Sequence, residues 1–440
     1  MGTGYLRVVT STANGNLPAK TNITISYGDE SLHVVETNIS GTSEIIALDA
    51  PQLELTLNPN ITDTPYSVYN IKAEADGFAP VRIHGVRVFD TITSILPINM
   101  ALTWEAAPQV HYIPAHNLID PSPNPTEKPP LKGPLNEIQI PEYITVHLGH
   151  PDSDAPNIPI PFTNYIKNIS SQAIYPTWPP AAIEANIYAI ISLALNQIYT
   201  EWYKAQGYYF DVTKHDQAFV EGGQTYHNID EMVNHIFNRY ITQEGSTAPL
   251  YADYSDGRHI TCPGMWQWGT VDLANRGHNA LEILRQYYPK DVQIVETSNV
   301  GGVEVPFPGY PLQEGMKGHY VQKLQEMLNH IHASYPEIPE INPITGIFGP
   351  ETTAAIQKFK SIYEPYHAHP TGIVEKSTWH RISQIYSAMK HADKQKDADN
   401  TRAEVNLSQR TSNQSGKYVP ANQLLTMFMM SRLVSQAPYL

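Results

Sequence analysis

The chain has 440 residues, of which 41% are hydrophobic and 27 are tyrosine, which is typical of folded domains and, at this length, of about two to four of them. Its 43 acidic and 28 basic side chains give a net charge of -15, which repels a phosphate backbone and argues against nucleic acid as a partner. The single cysteine, Cys262, excludes an intramolecular disulfide and a multi-cysteine zinc cage.

The start of the chain, MGTGYLRVVTSTANG, lacks the basic and apolar regions of a signal peptide. We find no apolar run of the length that a membrane span needs, about 18 residues. We therefore expect synthesis in the cytosol, without a membrane span.

Residues 1–105 read as about seven short alternating runs separated by Gly, Asn, Asp and Pro clusters, a pattern that predicts a β-sandwich. The run LELTLN at 53–58 is counted among these strands. The segment 69–100, with its DGF turn, resembles prealbumin-like or carboxypeptidase-regulatory-like sandwich modules, which carry no chemistry of their own.

Residues 106–142 contain the proline-dense stretch PSPNPTEKPPLKGPLNEIQIPEY. Proline cannot donate to a ladder or continue a helix, so this segment predicts an exposed, extended linker, the kind of segment that proteases cut. A passive spacer is an equally open interpretation.

Residues 143–300 predict an α+β domain that begins with the strand YITVHLG. Thr177 is a candidate cap for a long apolar helix whose first turn tolerates Pro179 and Pro180 and which ends at Gly207. A second helix at about 229–241, a strand-like PLYADYSDG and two further helical pieces follow.

Residues 310–387 predict a compact three-helix unit, in which apolar residues recur at spacings of three and four. The patterns GHYVQKLQEML, TGIFGPET and TGIVEKSTW resemble the peptidoglycan-binding domain family. The residues assigned to this domain are Leu324, Gln325, Phe348 and Trp379. Residues 388–440 predict a flexible tail with a short amphipathic helix.

Two separated stretches of the middle domain resemble the stage II sporulation protein D family of lytic transglycosylases, which cleave peptidoglycan glycan strands. The first match consists of Tyr165, Ile169, Trp178, Pro179, Ala182, Ala185, Ala189 and Leu195. The second consists of Gly264, Met265, Gln267, Gly269, Ala274, Gly277, Ile283, Leu284, Tyr287, Tyr288 and Pro289.

The resemblance implies that one glutamate, five residues before the tryptophan of the Trp-Pro pair, serves as acid and then as base. Here that position holds Ala173, and no carboxylate occurs from 155 to 183. Loss of a general acid costs about a hundred- to ten-thousand-fold in rate, so we expect the transglycosylase activity to be absent or much weakened.

Other carboxylates near this stretch are candidates to replace the acid, and surface charges are the simpler interpretation: Asp152, Asp154 and Glu184. The sugar-contacting candidates are Tyr175, Trp178, Trp266, Gln267 and Asp216. For the polar loop with Asp211 and His215, a role in turns or at a helix start is the simpler interpretation, and the family resemblance implies that the loop lines the same groove. His259 and Cys262 have metal-pair spacing, but two ligands are too few, so we expect no metal and no cofactor.

The order of sandwich, linker, middle domain and wall-binding unit resembles the clostridial spore cortex-lytic enzyme family known as SleC. That resemblance implies a zymogen of the spore cortex or coat region, with cortex peptidoglycan and an activating protease as partners. The chain is then an enzyme with a substitute acid, an inactivated form of one, or a natural non-catalytic peptidoglycan binder or regulator. A phage-tail wall-binding component is a further alternative.

Overall fold

The computed structural model describes residues 2–12, 20–39, 41–60, 63–104, 106–116, 138–258, 262–303, 305–363 and 370–390. They form two compact units, one from the ranges 1–301 and 357–371, the other from 302–356 and 372–439. Most of the predicted linker, the tail from 391 onward and His259 lie outside the described residues.

Eight strands of the first unit form two sheets, together with a ninth strand from later in the chain. They are β1 (Gly2–Ser11), β2 (Asn22–Tyr27), β3 (Glu30–Glu36), β4 (Ile46–Ala50), β5 (Ser67–Glu74), β6 (Val81–Val88), β7 (Thr93–Asn99) and β8 (Gln109–Tyr112). One sheet has the order β3-β2-β5-β6-β8, and β4, β1 and β7 are neighbours in the other. Strand β8 lies within the segment that was predicted to be linker.

The two sheets share one apolar core, as expected for a sandwich. Every second residue along β1 is buried, which places Leu6 and Val8 inside. Ile23 and Ile71 from the other sheet belong to the same core. The apolar residues that alternate along the sequence of β1 are therefore the residues that the core buries.

The run LELTLN was predicted to be a strand, and this prediction is wrong. Leu53–Leu57 form a 3-10 helix. Two hydrogen bonds favour the turn: within it the Thr56 hydroxyl donates to the Leu53 carbonyl, and the Leu53 amide donates at 3.2 Å to Oδ2 of Asp90, which is 37 positions away in the chain. This helix carries Thr56, which accepts hydrogen bonds from Thr177 and Trp178.

The remainder of the first unit combines short sheets with helices. Its strands are β9 (Tyr143–His147), β10 (Asn157–Pro161), β11 (Val212–Thr213), β12 (Thr225–Tyr226), β13 (Arg239–Gln243), β14 (Tyr254–Ser255), β15 (Met265–Trp266) and β16 (Val292–Glu296). Its helices are α1 (Phe162–Ala173), α2 (Pro180–Tyr199), α3 (His227–Ile236), α4 (Gln267–Asn275) and α5 (Ala280–Tyr287). Strand β12 pairs antiparallel with β7, so it extends a sheet of the sandwich.

The long apolar helix is present as α2, but it ends at Tyr199, before the predicted end at Gly207. Gly207 instead follows a short 3-10 helix, Lys204–Gln206, and adopts the left-handed conformation with φ 93°. The expectation that the chain has no apolar run of membrane-spanning length is wrong, because the segment Pro180–Gln206 is long and apolar enough to cross a membrane. However, 78% of its most apolar window is buried within the protein, as in a core helix. Thr177 does not cap α2, because its hydroxyl donates to Thr56 Oγ1 at 2.6 Å instead.

The helix predicted at 229–241 is shorter than expected. Helix α3 ends at Ile236, and Arg239–Gln243 form strand β13, which pairs antiparallel with β16. The β-branched pair Ile241 and Thr242 is buried in this strand. Pairing with a strand more than 50 residues away therefore overrides the helical pattern.

The second unit contains most of the predicted three-helix arrangement. Helix α6 spans His319–His332, and a further helix, α8, spans 376–390. Between them lies α7 (Pro350–Tyr363), which begins in this unit. Leu324 and Leu328 of α6 are fully buried, as their spacing predicts.

Candidate functional site

The acid position of the lytic transglycosylase resemblance lies at the last residue of α1. Ala173 is fully buried, and its carbonyl accepts a hydrogen bond of 2.8 Å from the Gln267 side-chain nitrogen. Gln267 is the first residue of α4 and is also fully buried. The fold thus brings together the two sequence stretches that carry the resemblance.

An aromatic cluster lies directly after this position. The ring centroids of Tyr175 and Trp178 are 5.8 Å apart, and those of Trp178 and Trp268 are 5.1 Å apart. All three side chains are buried. Trp268 was not among the predicted site residues. Its position two residues after Trp266 was the available signal that it belongs to the same aromatic region.

The sandwich covers this cluster. The indole nitrogen of Trp178 donates to the Thr56 carbonyl at 3.1 Å. Arg258 lies 5.7 Å from the centre of the Trp268 ring, and its guanidinium donates to the Pro59 carbonyl of the sandwich. Tyr175 and Trp178, which were predicted to contact sugar, are therefore packed against protein in this conformation.

Trp266 differs from the other two tryptophans because 43% of its surface is exposed. Its ring centroid lies 6.3 Å from that of Tyr287. A Cβ atom on Gly269 would lie 1.9 Å from the Tyr287 hydroxyl, so a side chain at this position would displace the Tyr287 ring. Among the predicted sugar-contacting residues, Trp266 is the aromatic side chain that is open to a ligand.

A clasp of side chains joins the sandwich to the end of α1. The Arg87 amide donates to Gln224 Oε1, and Gln224 Nε2 donates to the Arg87 carbonyl, each at 2.7 Å. Arg87 Nη2 donates to Gln172 Oε1 at 2.5 Å, and Gln172 Nε2 donates to the Gln224 carbonyl at 3.2 Å. All three side chains are buried.

Arg87 was not a predicted site residue. Its neighbours follow strand alternation until Gly85, which has φ 89°, and the pairing of β5 with β6 shifts register opposite this region. A glycine within a strand marks such a bulge and changes which side chains point inward. That glycine was the available signal that an arginine turns toward the interior.

Phe89 forms the centre of the ring cluster beside Arg87. Its ring centroid lies 5.7 Å from that of Tyr175, 5.3 Å from that of Tyr226 and 6.1 Å from that of His116. Burial, and then the charge of Arg87, hold the pKa of His116 well below its usual value. His116 is therefore neutral, and its Nε2 is 3.1 Å from the Ile174 carbonyl.

The candidate replacement acids have other partners. Asp152 accepts a hydrogen bond from the Tyr208 hydroxyl, and the Glu184 charge acts on Tyr188. Asp154 is exposed. Replacement of the missing acid by any of the three stays a prediction.

The polar loop after α2 is held by its own contacts. Asp211 accepts from the Thr145 amide at 2.8 Å and pairs with Lys204. Asp216 accepts from the Tyr203 hydroxyl and the Thr213 amide, and burial raises its pKa. These contacts show that both aspartates stabilise the loop. A sugar contact by Asp216 stays a prediction.

One buried carboxyl was not anticipated. Asp230 of α3 is 5% exposed, and its Oδ2 accepts from the Thr225 hydroxyl at 2.9 Å. Burial raises its pKa to about 6. Asp230 lies three residues after His227, whose Nδ1 accepts a hydrogen bond of 3.1 Å from the Thr93 amide of β7.

Cys262 is a buried free thiol, and burial raises its pKa. Within the described ranges no group of three His, Cys, Asp or Glu side chains is placed to hold a metal ion.

Gln325 is the central polar residue of the C-terminal unit. Its side-chain nitrogen donates to the Ile347 carbonyl at 2.9 Å and to Thr352 Oγ1 at 3.0 Å, and its oxygen accepts from the Gly346 amide at 2.9 Å. Three bonds from one buried amide fix the TGIFG loop. Leu324, Phe348 and Trp379 are buried, and the Trp379 indole donates to the Val305 carbonyl at 2.9 Å.

Residues 317–382 match the family model of a peptidoglycan binding domain. The chain carries a peptidoglycan-binding domain. This domain lies within the predicted range of 310–387, and the four residues assigned to it build its core and loop rather than an open surface. None of the curated proteins compared with the chain matches it. The match supports a function directed at the cell wall.

Proposed function

We propose that this chain is a spore cortex peptidoglycan-directed protein of lytic transglycosylase ancestry that binds glycan strands and does not cleave them. The peptidoglycan-binding domain at 317–382 supports the wall as the target. The observation that supports the ancestry is the 2.8 Å bond between Gln267 and Ala173, because it joins the two resembling stretches at the acid position.

The absence of cleavage follows from the chemistry of that position. Transfer of a proton to the leaving oxygen needs an acid within hydrogen-bond reach of it. Ala173 has no titratable group, and Gln172 beside it carries an amide that has no acidic proton to transfer. The spore location and an activating protease that cuts at 106–142 belong to the same proposal and rest on the resemblance alone.

The test is incubation of the full chain with purified spore cortex peptidoglycan, followed by sedimentation and by mass analysis of the soluble muropeptides. We expect the chain to sediment with the cortex and to release no anhydromuramyl products. Release of such products by the unchanged chain would show that another residue supplies the acid. A chain that stays in the supernatant would contradict cortex binding itself.

A further inference from the structure

Arg87 places a buried charge at the contact between the sandwich and α1. Its side chain is 1% exposed, and its single side-chain hydrogen bond among the described residues goes to Gln172. The other two guanidinium nitrogens, Nε and Nη1, are buried and have no hydrogen-bond partner there. Buried charges in proteins are normally paired, because desolvation is costly unless a counter-charge compensates it.

The surroundings of Arg87 do not compensate this charge. The nearest rings belong to neutral side chains, and burial keeps His116 uncharged. Arg87 acts electrostatically on Tyr175 and Tyr226, both of which are buried phenols with raised pKa values. No carboxylate in the described ranges hydrogen-bonds to the guanidinium.

The main chain of Arg87 is, by contrast, well satisfied. Gln224 makes both of the hydrogen bonds that a neighbouring strand would make to this residue. Strand β12 then continues the pairing with β7 at Thr225 and Tyr226. The clasp therefore fixes the guanidinium against the end of α1 although its charge is unpaired.

We propose that Arg87 makes this contact a releasable latch, in which the uncompensated charge favours opening because opening returns the guanidinium to water. Opening separates the sandwich from the end of α1 and uncovers Tyr175 and Trp178. The latch itself depends only on this contact, whereas the use of the uncovered rings to bind glycan rests on the proposed function.

The test is hydrogen exchange of the full chain in the segments 165–178 and 224–230. Gln172→Glu supplies a carboxylate where the amide oxygen already meets Arg87, and we expect opening to be at least about tenfold less frequent. Arg87→Gln removes the charge but keeps an N–H donor, and we expect slower exchange as well. In the double variant the carboxylate is buried alone, and exchange becomes faster than in the parent chain.

Gln267→Glu is the matched control, since Gln267 is equally buried at the same end of α1 and its side chain faces the Ala173 carbonyl. Within the described residues the Gln267 side chain hydrogen-bonds to this carbonyl and to no cation, so the new carboxylate is expected to speed exchange. Unchanged or faster exchange in both Gln172→Glu and Arg87→Gln would overturn the latch. Slower exchange with unchanged retention of soluble glycan fragments would leave the latch standing and contradict the glycan role of the rings.

Discussion

The side-chain nitrogen of Gln267 lies 2.8 Å from the carbonyl oxygen of Ala173, although 94 positions separate them in the chain. Both residues are fully buried. A carbonyl at the end of a helix lacks an intrahelical donor, and Gln267 supplies one. The amide therefore holds the start of α4 against the end of α1, which makes the surroundings of Ala173 a property of the tertiary fold.

Gln267→Ala is expected to lower the free energy of unfolding of the first unit by about 2–4 kcal/mol. It leaves the Ala173 carbonyl buried without a donor and opens a small cavity. Denaturant unfolding followed by tryptophan fluorescence measures the loss. Gln206→Ala is the control, because Gln206 makes a similar bond of 2.8 Å to the Trp202 carbonyl but is exposed. An equal effect of both substitutions would show that burial is not what matters.

Trp178→Phe is expected to destabilise the contact between the sandwich and the aromatic cluster by about 1–3 kcal/mol. The change leaves the Thr56 carbonyl without its indole donor in a buried place. Thermal unfolding measures the effect. Trp104→Phe provides the comparison, since Trp104 is 76% exposed and its loss should be nearly neutral. If Trp178→Phe were neutral as well, the indole bond would contribute nothing to the covered state.

Local patterns in the sequence were sufficient to predict much of the fold. The alternation in β1 and the apolar run of α2 each depend on neighbours only a few residues away. The same holds for the buried spacing of Leu324 and Leu328 in α6. The family match at 317–382 confirms the peptidoglycan-binding domain that these C-terminal patterns indicated.

The contact between the sandwich and the residues of the predicted middle domain could not be predicted from such patterns. Gln224 and Arg87 are 137 positions apart, and no periodicity indicates that an amide side chain will take the place of a strand. Thr177 is a second example. Its position suggested a cap for α2, but its hydroxyl donates to Thr56 of the sandwich. The hydrogen-bond partners of these polar side chains are determined by tertiary contacts.

Asp230→Asn is expected to make the chain more stable at pH 7 than the parent. The folded-state pKa of Asp230 is raised to about 6 by burial, so its folded form prefers the proton. The parent therefore loses stability as the pH rises from about 4 to 6, by up to about 3 kcal/mol, and is constant above that range. The asparagine does not titrate and can keep the hydrogen bond from Thr225.

Urea unfolding of parent and variant between pH 4 and 8 tests this prediction through the difference between the two curves. That difference should grow with pH up to about 6 and then level off. Asp29→Asn removes the same charge from the exposed turn between β2 and β3 and serves as the control. A difference that is flat for Asp230→Asn, or parallel in the two variants, would contradict burial as the cause.

Gln325→Ala is expected to abolish sedimentation with peptidoglycan by releasing the loop at 345–349. Gln325 makes three hydrogen bonds to this region, and their loss leaves buried groups unpaired at a cost of about 2–4 kcal/mol to this small unit. Gln322→Ala on the same helix is the control, because Gln322 is exposed and its side-chain nitrogen donates to Glu326 at 3.1 Å, away from the loop. We therefore expect Gln322→Ala to sediment with peptidoglycan and Gln325→Ala to stay in the supernatant. Full binding by Gln325→Ala would show that the wall is recognised without the fixed loop.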